Sequence, residues 1–217
     1  MHSRTQTHPL FTGAVVVIAA ITGAALATEG RIGELVSAMT TPQNAAVRAT
    51  AGPFDAYVPL ITSRGFTTSL AATGGEVRLV SLIYSHCPGV CPLTVQTVQA
   101  LERQLSPGEL SHLGVVLLSL DSADTPAALS AFAAQHGINS ERWLIARTVQ
   151  AADTEALAER LSIQHRRLSD GSIDHAASIA LVDAQGRIVT QTRETDAVDQ
   201  RFAAAVRGTL SGAFHRE

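Results

Sequence analysis

The only two cysteines among the 217 residues of the chain follow directly on a strongly apolar segment. This segment, Val77–Ile83, is short and rich in β-branched residues, so it predicts a buried β-strand. The chain continues as Tyr84-Ser85-His86-Cys87-Pro88-Gly89-Val90-Cys91-Pro92, and apolar residues then recur at helical spacing from Leu93 to Leu105. The two thiols are therefore predicted to lie where a buried strand gives way to a helix.

That position favours reactive cysteines. A helix N-terminus presents unpaired backbone N–H groups and the positive end of the helix dipole, and both stabilise a thiolate. Pro92 suits the first helical turn, where its missing N–H costs nothing. Cys87 and Cys91 are spaced i and i+4, so they share a face if the helix starts early enough. Two such thiolates form a disulfide or bind one soft metal ion.

The C-x3-C spacing differs from the C-x2-C spacing of dithiol redox proteins and zinc ribbons. An inert pair of thiols, or a simple stabilising disulfide, is the structural alternative. Buried structural cysteines rarely stand beside His and Pro at a turn from strand to helix, so the chemical interpretation is favoured.

Composition excludes several functions. The chain is 46% hydrophobic and 16% charged, with a formal net charge of −3, which suits one domain with a substantial core. All sixteen basic residues are arginine, so Schiff-base chemistry and a Walker A lysine are excluded. Nucleic acid is not an expected partner, because there is no basic cluster and only 4% of residues are aromatic.

The N-terminus predicts export. Leu10–Ala27 carries no charge over 18 residues, close to the minimum for a membrane-spanning helix. The sequence Ala25-Leu26-Ala27 resembles a signal-peptide cleavage site, but the length favours an uncleaved anchor. The predicted organisation is an anchor or signal at 1–27, a linker at 28–51, a folded domain at 52–212 and a tail at 213–217.

Strands and helices alternate through the folded domain. Strands are predicted at Tyr57–Ile61, Phe66–Leu70, Leu113–Leu120, Trp143–Ala146, Ala177–Val182 and Arg187–Gln191, and helices at Ala127–His136, Asp153–Leu161 and Asp196–Leu210. Asp124 or Thr125 suits the cap of the first of these helices, and Asp153 or Thr154 that of the second. The pattern predicts the α/β class, with a mixed central sheet flanked by helices. Reactive cysteines after the first central strand then lie at the carboxyl edge of the sheet, which is the thioredoxin-like layout.

A histidine completes a soft metal site well, because Cu(I) favours thiolates and accepts imidazole. His175 stands in a predicted loop just before a central strand, which a thioredoxin-like domain brings next to the cysteine turn. Asp174 is expected to orient it. His86 adjoins Cys87, but adjacent residues of an extended chain point to opposite sides. Of the eight histidines, three lie in the terminal segments and three more are expected to face solvent from helix ends or loops: His112, His136 and His165.

The segment Tyr84–Pro92 resembles the signature of the SCO/SenC family, an aromatic-x-x-C-P-x-x-C-P stretch. Asp121–Pro126 is similar to the family's D-P-x-x-D-T-P loop, although it is one residue shorter between its aspartates and lacks the first proline. Ile173–His175, followed by Ile179–Asp183 and Gly186, is similar to its D-H-S…D-x-x-G segment, with Ala176 in place of the serine. The resemblance covers residues 52–210.

This resemblance implies a thioredoxin fold and a protein of the periplasm or the mitochondrial intermembrane space. Family members bind copper through the two cysteines and the histidine and help to assemble the CuA centre of cytochrome c oxidase. Carried over, Cys87, Cys91 and His175 become the ligands of copper, as Cu(I) and also as Cu(II). Asp124 matches the second aspartate of the family's loop. The implied partner is the oxidase subunit that carries CuA, or another copper or dithiol protein.

Two functions are therefore compared. The leading hypothesis is a copper metallochaperone in the inner membrane, attached through the N-terminal helix, with its domain in the periplasm. The alternative is a thiol–disulfide oxidoreductase, in which Cys87 attacks a partner disulfide and Cys91 resolves the mixed disulfide. A peroxidase-like relative ranks lower, because its cysteine needs a nearby threonine and Thr73 is the nearest upstream. His175 separates the hypotheses, since only copper binding requires it.

Overall fold

The computed structural model describes residues 54, 57–73, 76–138 and 141–214. The predicted anchor at 1–27 and the predicted linker at 28–51 lie outside these residues. Within the described part of the chain, no helix combines the length and the apolar character needed to span a membrane. The first two residues of the predicted tail belong to the last helix.

The described residues form nine strands, five α-helices and one 3-10 turn at Leu70–Thr73. The strands are β1 Pro59–Thr62, β2 Thr67–Ser69, β3 Val77–Ile83, β4 Leu113–Ser119, β5 Trp143–Thr148, β6 His165–Arg167, β7 Ile173–His175, β8 Ile179–Val182 and β9 Ile188–Thr192. The helices are α1 Val90–Glu102, α2 Pro107–Leu110, α3 Pro126–Gln135, α4 Ala151–Arg160 and α5 Gln200–Phe214.

Seven strands form one mixed sheet in the order β2-β1-β5-β4-β3-β8-β9. The three central strands β3, β4 and β5 are parallel, and β1, β2, β8 and β9 join antiparallel. Parallel neighbours require crossover connections, which α1 with α2 and then α3 supply along the chain. The predicted fold class, a mixed central sheet flanked by helices in the thioredoxin-like layout, is confirmed.

The core is centred on β3 and β4. All seven residues of β3 are buried, as are six of the seven in β4. Strands covered on both faces read as continuous apolar runs, which explains why neither sequence alternates. β3 therefore has a fixed position, and it carries the cysteine turn at its carboxyl end.

Several helices begin at residues other than those predicted from the sequence. β3 has the predicted bounds, but α1 begins at Val90, three residues before the predicted start, so Cys91 lies in its first turn. Thr125 caps α3 by accepting from Ala128 N at 3.1 Å. The predicted cap of α4 is wrong: the helix begins earlier, and the buried Thr154 hydroxyl pairs with that of Thr148 instead.

The predicted loop around His175 is in fact strand β7, which pairs with β6 in a separate two-stranded sheet. The register sets His165 opposite His175 and Arg167 opposite Ile173. Both strands have three residues and are mostly polar, with Ile173 the one buried residue. Such short segments carry no periodic signal, so the sequence pattern does not reveal this hairpin.

Candidate metal centre

The cysteine turn spans the gap between β3 and α1. Cys87 N donates to the carbonyl of Tyr84 at 3.2 Å, which closes the turn. Cys91 N then donates to Cys87 Sγ at 3.4 Å. The N-cap residue, Gly89, has no side chain that could cap the first turn of α1. The Cys87 sulfur instead accepts a hydrogen bond from one of the unpaired N–H groups at the start of the helix. Cys87 is half-buried, whereas Cys91 is fully buried.

His175 approaches both sulfurs from β7. Its Nε2 lies 3.3 Å from Cys91 Sγ and 3.8 Å from Cys87 Sγ. Its Nδ1 lies 3.2 Å from the carbonyl oxygen of Ala176, which can only accept, so Nδ1 carries the proton of the neutral ring. Tyr84 contacts the same ring edge to face at a centroid distance of 5.8 Å. The lone pair of Nε2 is therefore directed at the sulfurs.

These three side chains are the one cluster in the described part of the chain that could hold a metal ion through three ligands. Their ligand atoms all lie within 4.8 Å of one another. Metal–sulfur and metal–nitrogen bonds of about 2.3 and 2.0 Å, as for zinc, join ligands up to roughly 4.3 Å apart. The sulfur–nitrogen distances fall below this limit, and two thiolates with one imidazole form a soft donor set of the kind that Cu(I) favours.

The two thiols differ in acidity. A hydrogen bond from the Cys91 thiol lowers the pKa of Cys87 to about 4; burial opposes this shift, and the backbone amides of Cys91 and Gly89 reinforce it. The pKa of Cys91 is raised, because its proton is shared with the Cys87 sulfur and because it is buried. The metal-free pair is therefore a Cys87 thiolate hydrogen-bonded by a Cys91 thiol.

Asp124 lies in the loop between β4 and α3 and is buried at 3% exposure. Its carboxylate accepts hydrogen bonds from the backbone N–H of Ser85 at 2.9 Å and from the hydroxyls of Ser85 and Ser119. It contacts the cysteine turn one residue before His86, and not the ligand atoms themselves. Asp124 therefore fixes the turn that carries Cys87.

Asp174 does not make the expected contact with His175. Successive residues of a strand point to opposite faces, so the Asp174 carboxylate lies on the outer face of the hairpin. There it is 63% exposed and pairs with Arg166 at 3.4 Å. The carbonyl of Ala176 orients the His175 ring in its place.

The structure also places the other histidines of the sequence analysis and Asp121. His86 is 81% exposed, and its Nδ1 lies 2.8 Å from the hydroxyl of Ser85. Asp121 accepts from Arg167 Nη2 at 2.8 Å. Three histidines that were expected to face solvent are partly buried: His112, His136 and His165. The His136 ring packs on Phe132, and His165 pairs with Glu155.

Sequence reasoning missed two serines, Ser85 and Ser119. Both stand at or just beyond the carboxyl ends of neighbouring parallel strands, β3 and β4. Such positions meet at one edge of a sheet, and that signal could have identified them as partners of Asp124.

The acidity of Cys87 is testable by alkylation of the reduced protein. Because its pKa is about 4, the thiolate is already formed at about pH 6, so the rate of Cys87 modification by iodoacetamide should stay nearly constant up to about pH 8. An ordinary thiol gains roughly tenfold per pH unit over this range. Mass spectrometry with fragmentation identifies the modified cysteine. The urea-unfolded chain is the control, and a steep rise with pH in the folded chain would contradict the assignment.

The two aspartates provide a second test. In the unsubstituted chain, Ser85 and Ser119 donate hydrogen bonds to the Asp124 carboxylate. Asp124→Asn replaces this charged acceptor with an amide, so we expect the free energy of unfolding to fall by about 2–3 kcal/mol. Asp174→Asn removes the same charge from an exposed position and should leave stability close to that of the unsubstituted chain. Urea denaturation measures both. Equal effects would show that the buried hydrogen bonds of Asp124 are not what stabilises the loop.

Comparison with known proteins relates this site to others. Solved structures with similar folds include copper-bound ScoI of Bradyrhizobium japonicum (19% identity, TM-score 0.59, covering 71% of this chain and 98% of that one). A SCO1/SenC family lipoprotein of Bacillus anthracis str. Ames is 16% identical (TM-score 0.64, 71% and 93%). BsSco, a member of the Sco family of cytochrome c oxidase assembly proteins with a disulfide switch, is 19% identical (TM-score 0.63, 74% and 95%).

These likenesses establish a shared fold. A search of curated protein sequences found no match. The family model described as SCO1/SenC matches residues 43–211, which is most of the chain and includes both cysteines and His175. The chain therefore belongs to the SCO1/SenC family.

Proposed function

We propose that this protein is a copper(I)-binding metallochaperone that assists assembly of the CuA site of cytochrome c oxidase. The observation that carries the proposal is the convergence of Cys87 Sγ, Cys91 Sγ and His175 Nε2 within 4.8 Å. Family membership supports it, and so does the bound copper of the Bradyrhizobium japonicum relative.

The chemistry of the site suits capture and release. Cu(I) binds the reduced dithiol, and Cys91 loses its proton as it becomes a ligand. His175 is already held as the tautomer with a free Nε2. Cys87 is the more exposed sulfur, so an incoming ligand from a recipient protein reaches this side of the site first and replaces the ligands one at a time. Asp124 supports Cys87 through the turn.

The proposed location is the inner membrane, with Leu10–Ala27 as the anchor and the domain at 52–212 in the periplasm, or export after cleavage at Ala27. The Bacillus anthracis relative, named a lipoprotein, supports attachment to a membrane. The proposed recipient is the oxidase subunit that carries CuA, or another copper or dithiol protein. The description of BsSco as an oxidase assembly protein supports this choice.

Copper binding is tested by titrating the reduced chain from Gly52 onward with Cu(I) under anaerobic competition. We expect tight one-to-one binding that is lost in Cys87→Ser or Cys91→Ser, because one thiolate and one imidazole make a poor soft site. His175→Ala should weaken binding, because it removes one of the three proposed ligands while leaving both thiolates. His112→Ala is the matched control and should bind as the unsubstituted chain does. Tight binding by either serine variant would rule out this ligand set.

A second candidate function is thiol–disulfide exchange, which the unequal acidity of the two thiols favours. The Cys87 thiolate would attack one sulfur of a partner disulfide and displace the other as a thiolate. Cys91 would then attack Cys87 Sγ, release the reduced partner and leave a Cys87–Cys91 disulfide. The disulfide switch of BsSco supports this possibility in the family.

Exchange is tested with an oxidised model peptide. Cys91→Ser should accumulate a mixed disulfide on Cys87, whereas Cys87→Ser should form little, because the remaining thiol is buried and its pKa is raised. His175→Ala should retain exchange while losing copper affinity. Non-reducing mass spectrometry detects the adducts. Equal trapping by both serine variants would exclude this assignment of attacking and resolving cysteine.

A further inference from the structure

The hairpin of β6 and β7 has two different faces. Alternation along each strand puts Arg167 and His175 on the inner face, where they are diagonal neighbours across the two strands. Arg166 and Asp174 form a cross-strand pair on the outer face and are 74% and 63% exposed. The distance from His175 to the cysteines therefore depends on how firmly the inner face is held against the rest of the domain.

Arg167 joins this inner face to the loop after β4. Its Nη2 donates to Asp121 Oδ1 at 2.8 Å, and its Nη1 donates to the carbonyl of Gly171 at 3.1 Å. Gly171 lies in the turn of the hairpin, so one guanidinium spans from the hairpin to the loop. The Asp121 side chain is only 16% exposed. Burial acts to raise the pKa of Asp121, but Arg167 and the backbone N–H of Ala123 outweigh it and lower that pKa.

Asp121 belongs to the same loop that supports the cysteine turn. Its carbonyl accepts from Asp124 N at 3.0 Å, and its N–H donates to Ser119 Oγ at 3.0 Å. The Asp124 carboxylate in turn accepts from Ser85 N at 2.9 Å. A continuous series of hydrogen bonds thus connects the hairpin that carries His175 with the turn that carries Cys87.

A second polar contact between the hairpin and the domain is weaker. His165 Nε2 lies 3.2 Å from Glu155 Oε1 on α4, and the Glu155 side chain is 68% exposed. Each pair joins one side chain at 16% exposure to a more exposed partner, so burial does not separate them. The Arg167–Asp121 contact is the shorter, at 2.8 Å, and the permanently charged guanidinium makes a second hydrogen bond to Gly171. The contact through Arg167 is therefore the more effective of the two.

We propose that Arg167 is a positioning residue for the metal centre: its ion pair with Asp121 holds the hairpin so that His175 Nε2 stays within reach of both sulfurs. The proposal rests on the copper-binding function proposed above. Arg167 touches neither sulfur nor imidazole in its hydrogen bonds, so it acts only through the position of His175.

The test is a double-mutant comparison on the full chain, with Cu(I) affinity measured by anaerobic competition. Arg167→Gln should weaken binding about two- to fivefold, the range expected for loss of a partly exposed ion pair. Arg166→Gln removes the same charge from the outer face and should have no effect. In a His175→Ala background, Arg167→Gln should also have no effect. Arg167→Lys, which retains the charge, should recover most of the affinity.

Two results would overturn the proposal. One is an equal loss for Arg167→Gln with and without His175, which would indicate a general structural role. The other, for an unsubstituted chain that binds Cu(I) tightly, is an equal effect of Arg166→Gln and Arg167→Gln on the affinity, including no effect from either.

A readout without copper separates this proposal from the function on which it rests. Without the ion pair to Asp121, the hairpin should be held less firmly over Cys91, which His175 contacts at 3.3 Å. Arg167→Gln should therefore increase the rate of Cys91 alkylation in the reduced, metal-free chain. Arg166→Gln should not change this rate. If the unsubstituted chain lacks tight Cu(I) binding while Arg167→Gln still uncovers Cys91, the copper function fails and the positioning role stands. An unchanged Cys91 rate would refute the positioning role.

Discussion

The candidate metal centre depends on the parallel pairing of β3 with β4. The two strands are in register over seven residue pairs and end together at Ile83 and Ser119. Beyond that point Leu120 N still donates to the carbonyl of Ile83 at 2.7 Å. Two loops therefore leave the sheet at the same level, and one carries Cys87 while the other carries Asp124. Neither loop has enough regular structure to set this geometry by itself.

A buried carboxylate then joins the two loops. Burying a charged group is costly unless hydrogen bonds replace its hydration, and Asp124 meets this condition with donors from Ser85 and Ser119. One acceptor thus fixes both loops, because a shift of either would leave the charge without donors. The third candidate ligand is positioned differently: His175 comes from a small separate sheet, which the side chain of Arg167 joins to the loop after β4.

Sequence reasoning was most successful where a segment carries its own physical signal. β3 is an unbroken apolar run, and Thr125 with Pro126 is a typical helix start, so both were predicted closely. The ligand set in the proposal also came from the sequence, through its resemblance to a family. The hairpin of β6 and β7 was missed because its stability depends on contacts with distant residues, which a local pattern does not record.

The role expected of Asp174 failed for a related reason. Proximity in the sequence suggested a partner for His175, but the strand that brings His175 to the site also turns its neighbour away. The same alternation rule had been applied to His86, and it could be applied to Asp174 only once β7 was known to be a strand. The partner that orients the His175 ring is the carbonyl of Ala176. Every residue has this backbone group, so the residue type at position 176 could not indicate the contact.

The three candidate ligands differ greatly in their separation along the chain. The cysteines are four residues apart, whereas His175 follows them by 84 and 88 residues. An unfolded chain thus already has both thiols close together, whereas the imidazole joins them only when the hairpin of β6 and β7 is in place. A ligand that also binds the unfolded chain stabilises the native state less than its native affinity suggests. Any metal held by the thiols alone would therefore contribute little to folding, and His175 is the candidate ligand that would couple metal binding to the completed fold.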